Sequence, residues 1–220
     1  MADAENRAFS FEKFLNHSNP MSMPYVLNPG RSEIRLPINF DGLKKGVVVP
    51  HGLRQIHESL PPFNYSPMPF LDFHKRSFRP LARTATGDFY EGQWSDQTNK
   101  RDGFGYCISV ESGYLYEGYW SEGNHHGNGR MLLENGYYEG QFVMNQRHGQ
   151  GKYVWNSGDY YTGEWVSSMK DGYGRLFSKV ENQIYEGHFK NNKKHGEGKI
   201  IVASDGTVIQ RGIWRNDKVV

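Results

Sequence analysis

Residues 116–142 read YEGYWSEGNHHGNGRMLLENGYYEGQF, and the pentapeptide Tyr-x-Gly-x-aromatic both opens and closes the stretch. Between the two copies stand a Gly-x-Gly (Gly127, Gly129) and a turn pair, Asn135-Gly136. Outward from here the pentapeptide recurs as YEGQW (90–94), YTGEW (161–165) and YEGHF (185–189), and QRGIW (210–214) is a copy without its tyrosine. Successive copies start 26, 22, 23, 24 and 25 residues apart. Gly103/Gly105, Gly149/Gly151, Gly172/Gly174 and Gly196/Gly198 supply the other intervening Gly-x-Gly pairs. Self-similarity at a short fixed period is the signature of a repeat architecture.

Two glycine-punctuated segments per period predict two short strands per unit. Ser112-Gly113, Asn135-Gly136, Ser157-Gly158 and Asp205-Gly206 mark hairpin turns, and Glu181-Asn182 takes the fifth place because asparagine tolerates positive φ. Period-2 alternation then puts the tyrosine, glycine and ring of each pentapeptide on one face, and the absent glycine side chain leaves a slot for a neighbouring ring. Cys107, Met131, Tyr153, Leu176 and Ile200 form a column on that same face, so Cys107 reads as a small core hydrophobe. The expected fold is all-β: antiparallel hairpin repeats over residues 86–220, five full units and a terminal half unit. Residues 1–85 form an irregular, extended, proline-rich N-terminal arm.

The pattern resembles the MORN (membrane occupation and recognition nexus) repeat family, approximately YxGxWxxGxxHGxGxxxxxxG, over residues 87–214. Asp102 and Asp171 replace the histidine in two units, the mid-loop glycine survives at Gly123, and the last unit is incomplete. The resemblance implies antiparallel hairpins stacked side by side into an elongated, twisted single-sheet rod with an aromatic-lined groove, and a cytoskeletal or ciliary setting such as an axonemal complex. The groove candidates are Tyr90, Trp94, Tyr116, Trp120, Tyr138, Phe142, Tyr161, Trp165, Tyr185 and Phe189.

The opposite face carries a second apolar strip, Ile108, Leu132, Val154, Phe177 and Ile201. Two readings stand: sheet curvature closes over it, or a partner or the arm covers it. A carboxylate column, Glu91, Glu117, Glu139 and Glu186, interrupted by Thr162, shares that face; such a column is most often a solvated face, yet stacked like charges favour a basic ligand. The arm is basic, with 11 Lys plus Arg against 7 Asp plus Glu in residues 1–85. Lys100, Arg101, Arg147, Lys170, Lys193 and Lys194 fall in the long loops before each Gly-x-Gly. They are lipid-contact candidates, with solubilising charge that blunts aggregation as the commoner role.

Enzyme chemistry finds no foothold. The 220 residues hold one cysteine, which excludes a disulfide framework and a cysteine-rich zinc site. Repeat-equivalent His126, His148 and His195 stand about 10 Å apart for a two-strand step, too far to share a zinc ion bound at about 2 Å. No phosphate loop, H-E-x-x-H or G-x-S-x-G occurs, so no cofactor is expected, and nucleic acid is not an expected partner. No stretch approaches the ~20 apolar residues of a membrane-spanning helix, and Met1-Ala2-Asp3-Ala4-Glu5 is acidic where a targeting leader is basic.

All ten prolines lie in residues 20–80 and 22 of the 26 glycines in residues 87–212, which separates arm from sheet. Within the arm, Phe9, Phe11 and Phe14 form an aromatic hook, and Leu53, Ile56 and Leu60 fit a short amphipathic turn. Ile34, Leu36, Ile38 and Phe40 alternate as an extended segment suited to lying along a groove. So many large apolar residues argue for an anchor on a partner or on the chain's own rod rather than a solvated tail. The expected role is a non-catalytic scaffold for other proteins in the cytoplasm, cytoskeleton or cilium, with anionic lipid as the competing partner. Self-association at the open C-terminal sheet edge is a further expectation.

Overall fold

The alternation described above builds one antiparallel sheet. The computed structural model describes Ile38, Phe40, Leu43, residues 49–65 and residues 76–220. A short helix, α1 (His51–Ser59), precedes thirteen strands: β1 (Arg76–Arg83), β2 (Phe89–Ser95), β3 (Arg101–Ser109), β4 (Tyr114–Ser121), β5 (Asn124–Leu133), β6 (Gly136–Val143) and β7 (Gln146–Trp155), then β8 (Tyr160–Val166), β9 (Met169–Ser178), β10 (Gln183–Lys190), β11 (Lys193–Val202), β12 (Val208–Arg215) and β13 (Lys218–Val219). Each strand pairs with its neighbours in sequence, and the sheet stays open. β1 lies on the N-terminal side of the compositional boundary near residue 85; its Pro80 falls at a register shift on the edge strand, where the lost N–H leaves no ladder bond unmade.

Register explains the glycines. Gly92, Gly105, Gly118, Gly129, Gly140, Gly151, Gly163, Gly174, Gly187, Gly198 and Gly212 face one another strand by strand, a continuous column from β2 to β12. The ring that occupies the slot is the repeat's own tyrosine rather than a neighbour's. Tyr116 lies over Gly118 and Gly129, and its hydroxyl donates to Tyr119 O at 2.8 Å. Tyr90, Tyr138, Tyr161 and Tyr185 donate to Gln93, Gln141, Glu164 and His188 carbonyls at 2.9–3.0 Å. Tyr138→Phe removes one such bond and should lower stability by about 1 kcal/mol, read from the urea midpoint. An unchanged midpoint would leave the glycine slot as a purely steric device.

The turns differ from expectation at one end of the hairpins. The sequence predicts long basic loops before each Gly-x-Gly; the β2–β3 connection keeps residues 96–100 with Lys100 among them, whereas the later units have tight turns there instead. Met144-Asn145, Ser167-Ser168, Asn191-Asn192 and Asn216-Asp217 have both residues at positive φ, the geometry of a two-residue type I′ hairpin. Each turn is tied back to the repeat before it: Asn145, Ser168, Asn192 and Asp217 donate backbone N–H groups to His125, Arg147, Lys170 and Lys194 carbonyls at 2.9–3.1 Å. Their side-chain oxygens accept the return bonds at 2.8–3.1 Å. Asp102 and Asp171 serve the same coupling by accepting from the Glu122 and Asn191 amides. Arg101, Arg147, Lys170, Lys193 and Lys194 are therefore strand residues.

α1 packs on the sheet. Leu53 is fully buried among Phe89, Tyr106, Ile108, Leu115 and Leu132, with Ile38, Phe40, Leu43, Val49 and Ile56 around it. Phe9, Phe11, Phe14, Ile34 and Leu36 lie outside the described residues.

Candidate functional site

Both faces of the sheet carry candidate residues. On the first, each tyrosine meets its own repeat's ring and the next repeat's ring edge-on. Tyr116 stands 5.1 Å from Trp120 and 5.2 Å from Phe142, Tyr138 stands 5.1 Å from Phe142 and 5.3 Å from Trp165, and the series continues to Tyr185 and Trp214 at 5.1 Å. T-shaped pairs contribute roughly 0.5–1.5 kcal/mol each beyond their burial. Trp120 and Trp165 also donate to the Gly105 and Gly151 carbonyls. Of the ten groove residues, Trp94 is half-buried and the other nine are buried. They form the core of the sheet, and a partner on this face would meet their outer edges. Trp214 explains the incomplete last unit: it supplies the ring that closes over Tyr185, and a tyrosine at Gln210 would have no later ring to meet.

Four of the six basic candidates lie over these rings. The Arg101 guanidinium is 4.4 Å from the Trp120 centroid, Arg147 is 4.6 Å from Trp165, Lys170 is 5.4 Å from Phe189 and Lys194 is 4.9 Å from Tyr185. Burial holds the Arg147 and Lys170 side chains below their ordinary pKa ranges. Lys100, which pairs with Glu122, and Lys193 are exposed.

In the second repeat the equivalent position is His125, stacked on Tyr116 at 3.8 Å and buried. Burial, with Arg101 adding to it, drives its pKa down to about 3. An unfolded imidazole titrates near 6.5, so below that pH the unfolded chain binds the extra proton and stability declines toward pH 3. The His125 ring signals should therefore stay constant in NMR spectra from pH 8 to about pH 4.5. A titration midpoint near 6.5 would contradict this packing. Cys107 is buried in the same core, which pushes its thiol up to about 12 and makes it a poor nucleophile.

On the second face the carboxylate column is interrupted by its partners. Antiparallel register sets the residue after each Gly-x-Gly opposite a glutamate, giving Glu91, Tyr106, Glu117, Arg130, Glu139 and Lys152 across six strands. Tyr106 donates to Glu91, Arg130 bridges Glu117 and Glu139, and Arg175 and Lys199 flank Glu186. The carboxylate column expected from the sequence is thus a row in which glutamates alternate with Tyr106 or a cation, with ion pairs at Glu117, Glu139 and Glu186. Sequence inspection of the positions following each Gly-x-Gly, Arg130, Lys152, Arg175 and Lys199, holds the missing signal.

The apolar strip is continuous from Phe89 to Val208 but unequally covered. Ile108 and Leu132 are buried under Leu53 and its neighbours. Val154 and Phe177 are half-buried, with Phe177 stacked on Tyr160 at 5.1 Å, and Ile201 is 8% exposed. Beside it, a second cover forms where Phe63 and Tyr65 pack on Tyr119 and Phe104, and Arg130 donates to the Pro61 carbonyl at 2.8 Å. Residues 61–65 were not among the sequence candidates; their aromatic pair was the available signal.

Among the described residues, no three His, Cys, Asp or Glu side chains gather into a cluster able to hold a metal ion. A family model, the MORN repeat, matches residues 90–112, 116–136, 138–160, 161–179 and 185–206. Its five copies coincide with the five tyrosine-over-glycine units. MORN repeats are a non-catalytic class that generally serve as protein- and membrane-interaction scaffolds, and this chain belongs to the MORN repeat family.

Proposed function

We propose that the chain is a non-catalytic scaffold that docks partner proteins along its sheet within a cytoskeletal or ciliary assembly, such as an axonemal complex. The supporting observation is the half-covered second face. The chain's own residues bury Ile108, Leu115 and Leu132, while apolar residues of the C-terminal half remain open: Tyr173 is 43% and Ile213 54% exposed. A docking surface needs such apolar area beside charges that set orientation. The aromatic groove contributes through its ring edges, and the variable positions Gln141, Glu164 and His188, all exposed, contribute on the second face. The chain before β1 acts as the anchoring arm. The cytoskeletal or ciliary setting rests on family membership alone.

Cross-linking mass spectrometry of the protein in its native extract tests the reading. Cross-links from Lys152, Lys179 or Lys199 to other proteins are expected; if no partner contacts the strands or residues 1–85, the scaffold fails. The membrane alternative predicts salt-sensitive co-sedimentation of the full chain with anionic vesicles. With Arg101, Arg147, Lys170 and Lys194 held over rings, we expect no such binding.

A further inference from the structure

The seat that holds Phe63 and Tyr65 is repeated in the chain. It consists of Phe104 and Tyr119, which flank Tyr65 at 5.8 and 6.2 Å, the Glu117–Arg130 pair beside them, and the Arg130 guanidinium, 5.5 Å from the Phe63 ring. Sixty-nine residues after Phe104, Glu117, Tyr119 and Arg130 come Tyr173, Glu186, His188 and Lys199, and the glycine register is the same at both places. The second set keeps the arrangement: Tyr173 and His188 are an edge-on ring pair at 5.4 Å, and Lys199 pairs with Glu186 at 3.1 Å. In the repeats between, the ring positions are Asn128, Gln141, Gln150 and Glu164. A ring pair is therefore not what the repeat supplies by default.

Two differences define the occupant. Tyr119 is 2% exposed and Phe104 half-buried beneath their cover, whereas the counterparts His188 and Tyr173 are exposed, Tyr173 at 43% on the wall of a concavity of about 440 Å³. The charge also changes. The first seat's row, Tyr106, Glu117, Arg130 and Glu139, has two carboxylates and one cation; the second's, Arg175, Glu186, Lys199 and Arg211, has three cations and one carboxylate. Glu197, standing where the first seat has Asn128, leaves the second net positive.

We propose that the groove lined by Tyr173, Glu186, His188, Lys199, Arg211 and Ile213 docks an extended segment of a partner protein that carries an aromatic pair flanked by acidic residues. The aromatic pair would lie against Tyr173 and His188 as Phe63 and Tyr65 lie on the first seat. A backbone carbonyl would accept from Lys199 as Pro61 does from Arg130, and the flanking carboxylates would meet Arg211 and Arg175. This assignment rests on the scaffold reading and names the partner's chemistry.

The test uses the full chain and two synthetic peptides, EPPFNYE and KPPFNYK, built on the segment that fills the first seat. The acidic peptide should bind about fivefold tighter at low salt, as a pair of half-exposed charge contacts predicts. Binding should shift the amides of Gly187, His188, Gly198 and Gly212 in NMR spectra. Arg211→Glu should reverse the preference, and Tyr173→Ala should weaken both peptides; each is exposed, so the unfolding midpoint serves as a check on folding. Equal affinity for the two peptides, or shifts confined to the first seat, overturns the proposal. A concentration-dependent dimer lost in Tyr173→Ala would name a second copy as occupant and overturn it too. Cross-links to partners elsewhere on the sheet, with no peptide binding at about 1 mM, would sink this assignment and leave the scaffold standing.

Discussion

Gly129→Ala should lower stability by about 3–5 kcal/mol. An ideal Cβ at Gly129 falls 2.4 Å from Tyr116 Oη and 2.6 and 2.7 Å from Cε2 and Cζ. The ring cannot rise out of the way, because Trp120 and Phe142 hold its edges and His125 covers it at 3.8 Å. Any tilt that relieves the clash breaks the bond from the tyrosine hydroxyl to Tyr119 O and strands a buried carbonyl. Overpacking contributes roughly 1–3 kcal/mol and the orphaned acceptor about as much again. Each kcal/mol shifts the melting temperature by about 2–4 °C at this size, so a fall of about 10 °C is expected by circular dichroism. Gly206→Ala is the control: its Cβ would meet nothing within 4 Å, and only its φ of +79° opposes a side chain. That variant should lose about 1 kcal/mol. Similar losses at the two positions would mean that backbone conformation, not the flat-lying ring, requires the glycine column.

What could be read without coordinates was whatever the repeat states many times. Five copies of Tyr-x-Gly-x-aromatic give the strands, their faces, the hairpin direction and the core position of Cys107, because period-2 alternation leaves one consistent assignment. Features stated once or without their usual residues were hidden. Met144-Asn145 and Ser167-Ser168 are tight turns, but methionine and serine at positive φ carry no local turn signal, so the chain there looked like long loop. The charged row was hidden for a different reason: whether Arg130 faces Glu117 depends on register between strands, which a list of positions along one strand does not display. β1 was lost behind Pro80 and its arginines, a composition that suits an edge strand and resembles a linker. Leu53 and Ile56 announced an amphipathic turn, while its landing place on Ile108 and Leu132 is a tertiary fact. The same asymmetry governs the site: the rings were easy to find and are largely core, while the exposed apolar residues Tyr173 and Ile213 lie on the other face, at positions that carry no repeated motif.

Arg130→Met should destabilise the chain by about 3–5 kcal/mol at pH 8, with the loss shrinking as the pH is lowered toward 5. Arg130 and Glu117 are buried, and the guanidinium is bonded to Glu117 at 3.1 Å, Glu139 at 2.8 Å and the Pro61 carbonyl at 2.8 Å. It is the polar bolt between residues 61–65 and the sheet. Methionine keeps much of the volume and removes all three bonds. Glu139 is 42% exposed and can be hydrated, but Glu117 is left in an apolar pocket without its cation. Burial already pushes Glu117 up to about 7 against the downward pull of Arg130, so removing the arginine raises it further. A carboxyl whose folded pKa lies above its unfolded value of about 4.5 contributes fully below 4.5, and that contribution is lost as pH rises through the folded value. The penalty is therefore greatest in alkali and is relieved when acid neutralises the side chain. Glu117→Gln added to Arg130→Met should recover much of the stability at pH 8 and flatten the pH dependence, because the amide carries no charge to desolvate. Hydrogen exchange should show α1 opening more readily in the single variant, since its neighbouring segment has lost its tie to the sheet. A loss of equal size at pH 5 and pH 8, or a double variant no more stable than Arg130→Met, would mean that Arg130 acts through its packing against Phe63 and that the buried charge pair is incidental.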